Sequence, residues 1–220
     1  MGEIITVFLL KYDDIPYSKV SSYEEFISEE RRKRISRFRF DQDKVASLLS
    51  GLMVRYVLSQ HTGLSSSELD TSTDDKGKPF LRNICGCHFS ISHTKNMTAM
   101  AVDKSPIGID TENSLNVFSN YVSLAEKCFA AGEIQSFRLR GQTIEDFYDI
   151  WTSKEAYVKM TGRGLICLNN TLDTTNLTEY QIITKRIGNF SVSVCCRREI
   201  YSAEMHEITL DFLLSAFCNI

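Results

Sequence analysis

Pro106-Ile107-Gly108-Ile109-Asp110-Thr111-Glu112 alternates Ile107, Ile109 and Thr111 with Gly108, Asp110 and Glu112. A period of two is the period of a strand, and it sets Asp110 and Glu112 on one face, two residues apart. Neighbouring carboxylates repel each other unless a cation or a proton sits between them. On an arbitrary strand such a pair is a solvated face. Here the flank is apolar and the pair lies near the middle of the chain, which favours a metal pair. Just upstream, Asp103-Lys104-Ser105-Pro106 is polar and ends in proline, the natural break in the chain. It divides the sequence into residues 1–103 and 104–220.

Outward from this break the same order of elements is read twice. The first part predicts a strand over Ile4 to Leu10, helices over about Tyr23 to Arg37 and Gln42 to His61, and strands over Cys87 to Ser92 and Thr98 to Val102. The second predicts the strand Ile107 to Glu112, a helical stretch over about Tyr121 to Leu139 and a helix over Ile144 to Thr161. Late strands follow near Gln181 to Thr184, Phe190 to Cys196 and Ile208 to Leu213. The expected fold class is α+β: two similar α/β halves related by a pseudo-two-fold axis, with the active site in the cleft between them.

Composition narrows the class. With 220 residues, 43% hydrophobic and 24% charged, the chain has the balance of a soluble globular protein of one large or two small domains. A formal net charge of -3 argues against a nucleic-acid partner. No uncharged apolar run reaches membrane-spanning length, so no membrane partner is expected. Seven cysteines, an odd number, point to reduced thiols in a cytoplasm, and Cys85 and Cys87 lack the second ligand pair of a zinc site. Met1-Gly2-Glu3-Ile4-Ile5-Thr6 fits a loose myristoylation pattern, but Ile4 to Leu10 reads better as a buried strand.

Four further segments carry candidate chemistry. In Trp151-Thr152-Ser153-Lys154-Glu155-Ala156-Tyr157-Val158-Lys159-Met160-Thr161-Gly162-Arg163-Gly164-Leu165, helical spacing brings Glu155 and Lys159 onto one face, and Gly162 is placed to end the helix. Alone this is a surface ion pair. Beside Asp110 and Glu112, Glu155 is a third carboxylate, and three carboxylates with a lysine suit Mg2+ that also holds a phosphate. Phe89-Ser90-Ile91-Ser92-His93-Thr94 is a strand running into a turn, where Ser92 and His93 can offer donors to a phosphate. Gly77-Lys78-Pro79 reads as a turn. Arg31-Arg32-Lys33-Arg34-Ile35-Ser36-Arg37-Phe38-Arg39 has six basic residues in nine, dense enough to meet a polyanion, with Arg31 and Arg34 sharing a face.

The order of these motifs, Gly77-Lys78-Pro79, Phe89-Ser90-Ile91-Ser92-His93, Gly108-Ile109-Asp110-Thr111-Glu112 and Trp151-Thr152-Ser153-Lys154-Glu155-Ala156-Tyr157-Val158-Lys159, resembles the 4'-phosphopantetheinyl transferase superfamily. Length and doubled architecture look like its monomeric, surfactin-synthetase-activating type, and the resemblance covers about Phe26 to Leu165. It implies transfer of the phosphopantetheine arm of coenzyme A, the co-substrate, to a serine of an apo acyl or peptidyl carrier protein, with Mg2+, or Mn2+ in its place, and release of 3',5'-ADP. By the same resemblance, Asp110, Glu112 and Glu155 would hold the metal. Lys154 and Lys159 would contact the phosphates, Lys78 and Pro79 would border the adenine, and Ser92, His93, Arg31, Arg34 and Ser47 would bind the 3'-phosphate. Glu155, Lys159 and Glu133, the last as base, would be catalytic. Relatives often carry arginine where this chain has Ala46 and glycine where it has Ser50. Two rivals remain: a Mg2+-dependent nucleotide pyrophosphatase using the same carboxylates, and a non-catalytic carrier- or nucleotide-binding module.

Overall fold

The first strand, β1 (Glu3–Lys11), alternates between two cores: Ile5, Val7 and Leu9 point one way and Leu10 the other. The computed structural model describes residues 3–162, 164, 170–197 and 200–218. Met1 and Gly2 of the myristoylation pattern, Leu165 and Cys167 lie outside the described residues. β1 is antiparallel to β5 (Met97–Asp103), which pairs with β4 (His88–Thr94). On its other side β1 runs parallel to β9 (Ile200–Ile208), so a C-terminal segment completes the sheet β4-β5-β1-β9. A second sheet, β6-β8-β7, is antiparallel and joins β6 (Ile107–Asn113), β8 (Phe190–Cys196) and β7 (Gln181–Ile187). β2 (Thr71–Thr73) and β3 (Pro79–Leu81) form a small separate hairpin. Together with six α-helices among the described residues, this is a mixed α+β fold.

A long helix lies on each main sheet. In α2 (Asp41–Thr62), Val45, Leu48, Leu49, Leu52 and Met53 pack onto Leu10, Phe89, Met100 and Val102 of the first sheet. Truncating one such leucine to alanine typically costs about 2–5 kcal/mol. The opposite face of that sheet shares a core with Ile107, Ile109, Val192 and Val194 of the second. On the second sheet lies α5 (Ile144–Thr161), begun by Thr143, whose Oγ1 accepts from Asp146 N at 3.2 Å, and ended by Gly162 at φ +64°. Gly108 permits its close approach: a Cβ there would lie 2.0 Å from Ala156 O and 2.4 Å from Met160 N. Arg186 of β7 clamps the first turns of α5 by donating to Asp146 and Asp149, each at 2.7 Å, while Ser191 Oγ donates to Asp149 Oδ1 at 2.7 Å.

Three helical or strand expectations need correction. The helix expected from Tyr23 breaks at Ile27-Ser28: a 3-10 segment Ser21–Phe26 precedes α1 (Glu29–Ile35), because Ile27 is buried in extended conformation and Ser28 caps α1 through Arg31 N. The stretch from Tyr121 is two helices, α3 (Tyr121–Cys128) and α4 (Ala131–Arg140), parted at extended Phe129 and Ala130. Lastly, Ile208 to Leu213 is not a strand. Residues 200–208 are β9, and Thr209 then caps α6 (Leu210–Ser215) by accepting from Phe212 N at 3.2 Å. No helix among the described residues is long and apolar enough to cross a membrane.

Candidate active site

β6 and α5 bring the candidate groups together, because Gly108, Asp110 and Glu112 share the face of β6 on which α5 lies. Lys159 Nζ donates to Asp110 Oδ1 at 2.6 Å and to Ser92 Oγ at 2.9 Å, and Ser92 Oγ donates to the same Asp110 oxygen at 2.7 Å. Asp110 is buried, and its other oxygen, Oδ2, has no hydrogen-bond partner among the described residues. Glu112 Oε2 accepts from Thr94 Oγ1 at 3.1 Å.

Burial pushes the Glu112 carboxyl up to about 7, and the Asp110 charge adds to the effect. Glu155 is raised to about 7 for the same two reasons in the same order. A cation between these carboxyls would offset both the burial and the neighbouring negative charge. An orphaned, buried carboxylate oxygen beside two carboxyls driven towards neutrality is the environment a hard cation relieves, so the donor set fits Mg2+ or Mn2+. As placed, however, no three His, Cys, Asp or Glu side chains among the described residues are close enough to ligate one metal ion. Lys159 takes up the Asp110 oxygen instead.

The basic cluster assembles around α2. Arg31 donates to Ser47 O at 3.2 Å and Arg34 to Ser47 Oγ at 3.4 Å. Gly51 makes room, since a Cβ there would lie 2.6 Å from Arg31 Cδ. Burial, and then the Arg34 charge, lowers Arg31 to about 10. Both arginines line a cavity of about 90 Å³ with Pro79 and Phe89. His93 is exposed and lines a neighbouring cavity with Asp43, Ala46 and Thr94, yet the protein around its ring, and then the charges of Lys159, Arg31 and Arg34, lower its pKa. A second cavity, about 390 Å³, is lined by Lys78, Pro79, Ser90, Glu155, Val158 and Lys159. Its turn is built by Asp74, whose Oδ1 accepts from Lys76 N and Lys78 N, with Gly77 at φ +83°. Lys78 Nζ donates to Met160 O at 2.8 Å, tying this hairpin to the end of α5.

Three expected residues are placed differently. Ser92 serves Asp110 and Lys159 rather than lying open to a phosphate. Lys154 and Glu133, both fully buried, pair with each other at 2.7 Å. Glu133 also accepts from Ala130 N at 2.8 Å, Thr174 N at 2.9 Å and Thr174 Oγ1 at 2.6 Å, and Lys154 donates to Leu172 O. Both side chains lie away from solvent, with the carboxylate of Glu133 fully bonded. Thr94 and Gly108 went unassigned in the sequence, although Thr94 stands two residues beyond Ser92, on the same strand face, and Gly108 two before Asp110.

Asp110, Glu112, Glu155 and Lys159 are thus brought together by β6 and α5, with Arg31 and Arg34 lining a separate cavity. A family model described as "4'-phosphopantetheinyl transferase superfamily" matches residues 106–216, and one described as "4'-phosphopantetheinyl transferase, N-terminal" matches residues 16–105. The chain is 27% identical to the 4'-phosphopantetheinyl transferase psf-1 of Bacillus pumilus over 99% of this chain and 100% of that one. It is 32% identical to the 4'-phosphopantetheinyl transferase Sfp of Bacillus subtilis (strain 168) over 70% of this chain and 69% of the relative. With the 4'-phosphopantetheinyl transferase HetI of Nostoc sp. (strain PCC 7120) the identity is 30%, over 69% and 66%. The chain belongs to the 4'-phosphopantetheinyl transferase superfamily, and it is a transferase of the Sfp type.

Proposed function

We propose that this enzyme, working as a monomer in the cytoplasm, transfers 4'-phosphopantetheine from coenzyme A to a serine hydroxyl of an apo acyl or peptidyl carrier protein. The serine oxygen forms a bond to the β-phosphorus as its hydroxyl proton is released to solvent, the bond from that phosphorus to the bridging oxygen breaks, and 3',5'-ADP leaves with the bridging oxygen. We read residues 1–103 and 104–220, the latter lending β9 to the first sheet, as two related α/β halves, with the site between them. The observation that carries the reading is the buried, unpartnered Asp110 Oδ2 beside Glu112, Glu155 and Lys159.

Asp110, Glu112 and Glu155 would hold Mg2+, with Mn2+ as a substitute. When bound, the cation neutralises charge on the pyrophosphate oxygens. Lys159, its side chain partly exposed, already answers an anionic oxygen. Turned from Asp110 to a phosphate, it would stabilise charge on the departing nucleotide. Arg31, Arg34, Ser47 and His93 would take the 3'-phosphate, and Lys78 with Pro79 would border the adenine. Positioning and charge then account for most of the rate. Glu133 and Lys154 are left out of this set because both are fully buried and bonded to each other, to Ala130 and Thr174, and to Leu172.

The test is mass spectrometry of a panel of apo acyl and peptidyl carriers incubated with enzyme, coenzyme A and Mg2+. The expected result is a gain of one phosphopantetheine on the carrier serine. Product from coenzyme A without any carrier would instead identify a pyrophosphatase, and no mass gain on any carrier would overturn the reading.

A further inference from the structure

β4 is the outermost strand of the first sheet and β6 the outermost strand of the second, and no backbone ladder joins them. They meet through side chains instead. Ser90, Ser92 and Thr94 share one face of β4. Ser90 Oγ accepts from Ile109 N at 3.1 Å, Ser92 Oγ donates to Asp110 Oδ1 at 2.7 Å and Thr94 Oγ1 donates to Glu112 Oε2 at 3.1 Å. All three residues are buried.

Packing alone does not require this pattern. Alanine or valine would fill the same seam, and a buried hydroxyl without a partner is destabilising. Three consecutive inward positions of β4 instead carry hydroxyls, each spent on β6. The first holds the backbone and so fixes the register of β4 against β6. In that register the next two reach the two carboxylates, one each. Each hydroxyl engages a single oxygen of its carboxylate: Asp110 Oδ1 is held, and Oδ2 is left without a bond.

We propose that Thr94 is a positioning residue: its hydroxyl fixes the rotamer of Glu112 so that the Glu112 and Asp110 carboxylates address one cation together. This rests on the metal-site reading given under the proposed function. Thr94 touches neither substrate nor cation in this scheme and acts only through Glu112. Groups that orient a metal ligand in this way typically matter by 10–100-fold in metal affinity.

The experiment compares wild type with Thr94→Val, which keeps the shape and loses the hydroxyl, and Thr94→Ser, which keeps the hydroxyl. Binding of Mn2+ in the presence of coenzyme A and without any carrier is followed by the electron paramagnetic resonance of free Mn2+. The expected result is at least a tenfold loss of Mn2+ affinity in Thr94→Val, with recovery to within about threefold of wild type in Thr94→Ser. The KM for coenzyme A at saturating metal should stay unchanged. Thermal unfolding checks that the variants are folded. If Thr94→Val is not, Thr94→Ala, which leaves space rather than a misplaced methyl, carries the same comparison. Equal Mn2+ affinity in a folded Thr94→Val or Thr94→Ala, while Asp110→Asn loses it, overturns the role of Thr94 and leaves the metal site standing. Absence of Mn2+ binding in wild type, with normal transfer by Asp110→Asn, overturns the metal site and this inference with it.

Discussion

Helix α5 takes part in two carboxylate–lysine pairs of nearly the same length, Lys159 with Asp110 at 2.6 Å and Lys154 with Glu133 at 2.7 Å. Their surroundings differ. Glu133 and Lys154 are both 0% exposed, and the remaining bonding positions of Glu133 are filled by Ala130 and Thr174. Lys159 is 31% exposed at its side chain, Asp110 keeps an oxygen without a partner, and two further carboxyls nearby are held towards neutrality. A saturated buried pair ties α4 to α5 and the 3-10 turn Thr174–Asn176, and it has nothing left to give a ligand. The pair at the cavity wall has both an acceptor without a partner among the described residues and a partly exposed cation. Pair distance alone does not separate structural from chemical roles; the count of unfilled bonds does.

The sharpest way to break this contrast is to remove Asp110. Asp110→Ala should lower kcat/KM for carrier modification by at least about 10²–10³-fold, the scale of losing a main electrostatic group, while the protein stays folded. Near-normal turnover at low Mg2+ would show that the carboxylates are not a metal site.

The opposite outcome is expected at the other pair. Lys154→Met leaves Glu133 buried without its cation and should destabilise the fold by about 3–5 kcal/mol. Lys159→Met should change the melting temperature little and turnover strongly. Paired thermal melts and kinetics check this, and a Lys154→Met protein of unchanged stability would place that lysine among the working groups after all. Glu133→Gln should likewise cost stability while the folded protein keeps its pH–rate profile.

A tenfold or larger effect is expected at the basic cluster. Hydrogen bonds to charged groups contribute roughly 1.5–3 kcal/mol each. The double variant Arg31→Ala, Arg34→Ala should lose more than tenfold in kcat/KM with coenzyme A and little with dephospho-coenzyme A, which lacks the 3'-phosphate. Parallel losses with both cofactors would return the cluster to a solvated helix face.

The smallest effect concerns pH. Glu112 and Glu155 are raised from 4.5 to about 7 in the fold. The folded state then binds more protons than the unfolded chain between these values, so their contribution is present below pH 4.5 and is lost as pH rises through about 7. Metal-free protein should melt at lower temperature as pH rises across that window. Adding Mg2+ should reduce the slope, and so should Asp110→Asn, since the Asp110 charge is the second cause of both shifts. A flat pH profile of the metal-free melting temperature would contradict it.

Much of the local structure was legible from spacing. The period of two in Ile107 to Glu112, the helical spacing from Ile144 to Thr161 and the stop at Gly162 appear as β6, α5 and its left-handed cap. These features depend on neighbours within one turn or one pleat, so a window of sequence contains their cause. The breaks at Ile27-Ser28 and Phe129-Ala130 were not legible, because helix-compatible residues there are pulled into extended conformation by burial of Ile27 and Phe129 and by the side-chain caps from Ser28 and Glu133. Residues 200–208 became a strand only by pairing with β1, some two hundred positions away.

The same division runs through the site. By itself the sequence determined which carboxylates, lysines and arginines exist, and that Asp110 and Glu112, like Glu155 and Lys159, share a face. Tertiary structure decided which of them remain unsatisfied. Lys154 and Glu155 are adjacent in sequence, yet one step of about 100° around the helix sends Lys154 into the buried pair with Glu133 and leaves Glu155 at the cavity wall. Whether a charged group is free to act depends on how many of its bonds the fold has already filled, and those partners, Thr174 for Glu133, Ser92 for Asp110 and Thr94 for Glu112, come from segments that only packing brings near.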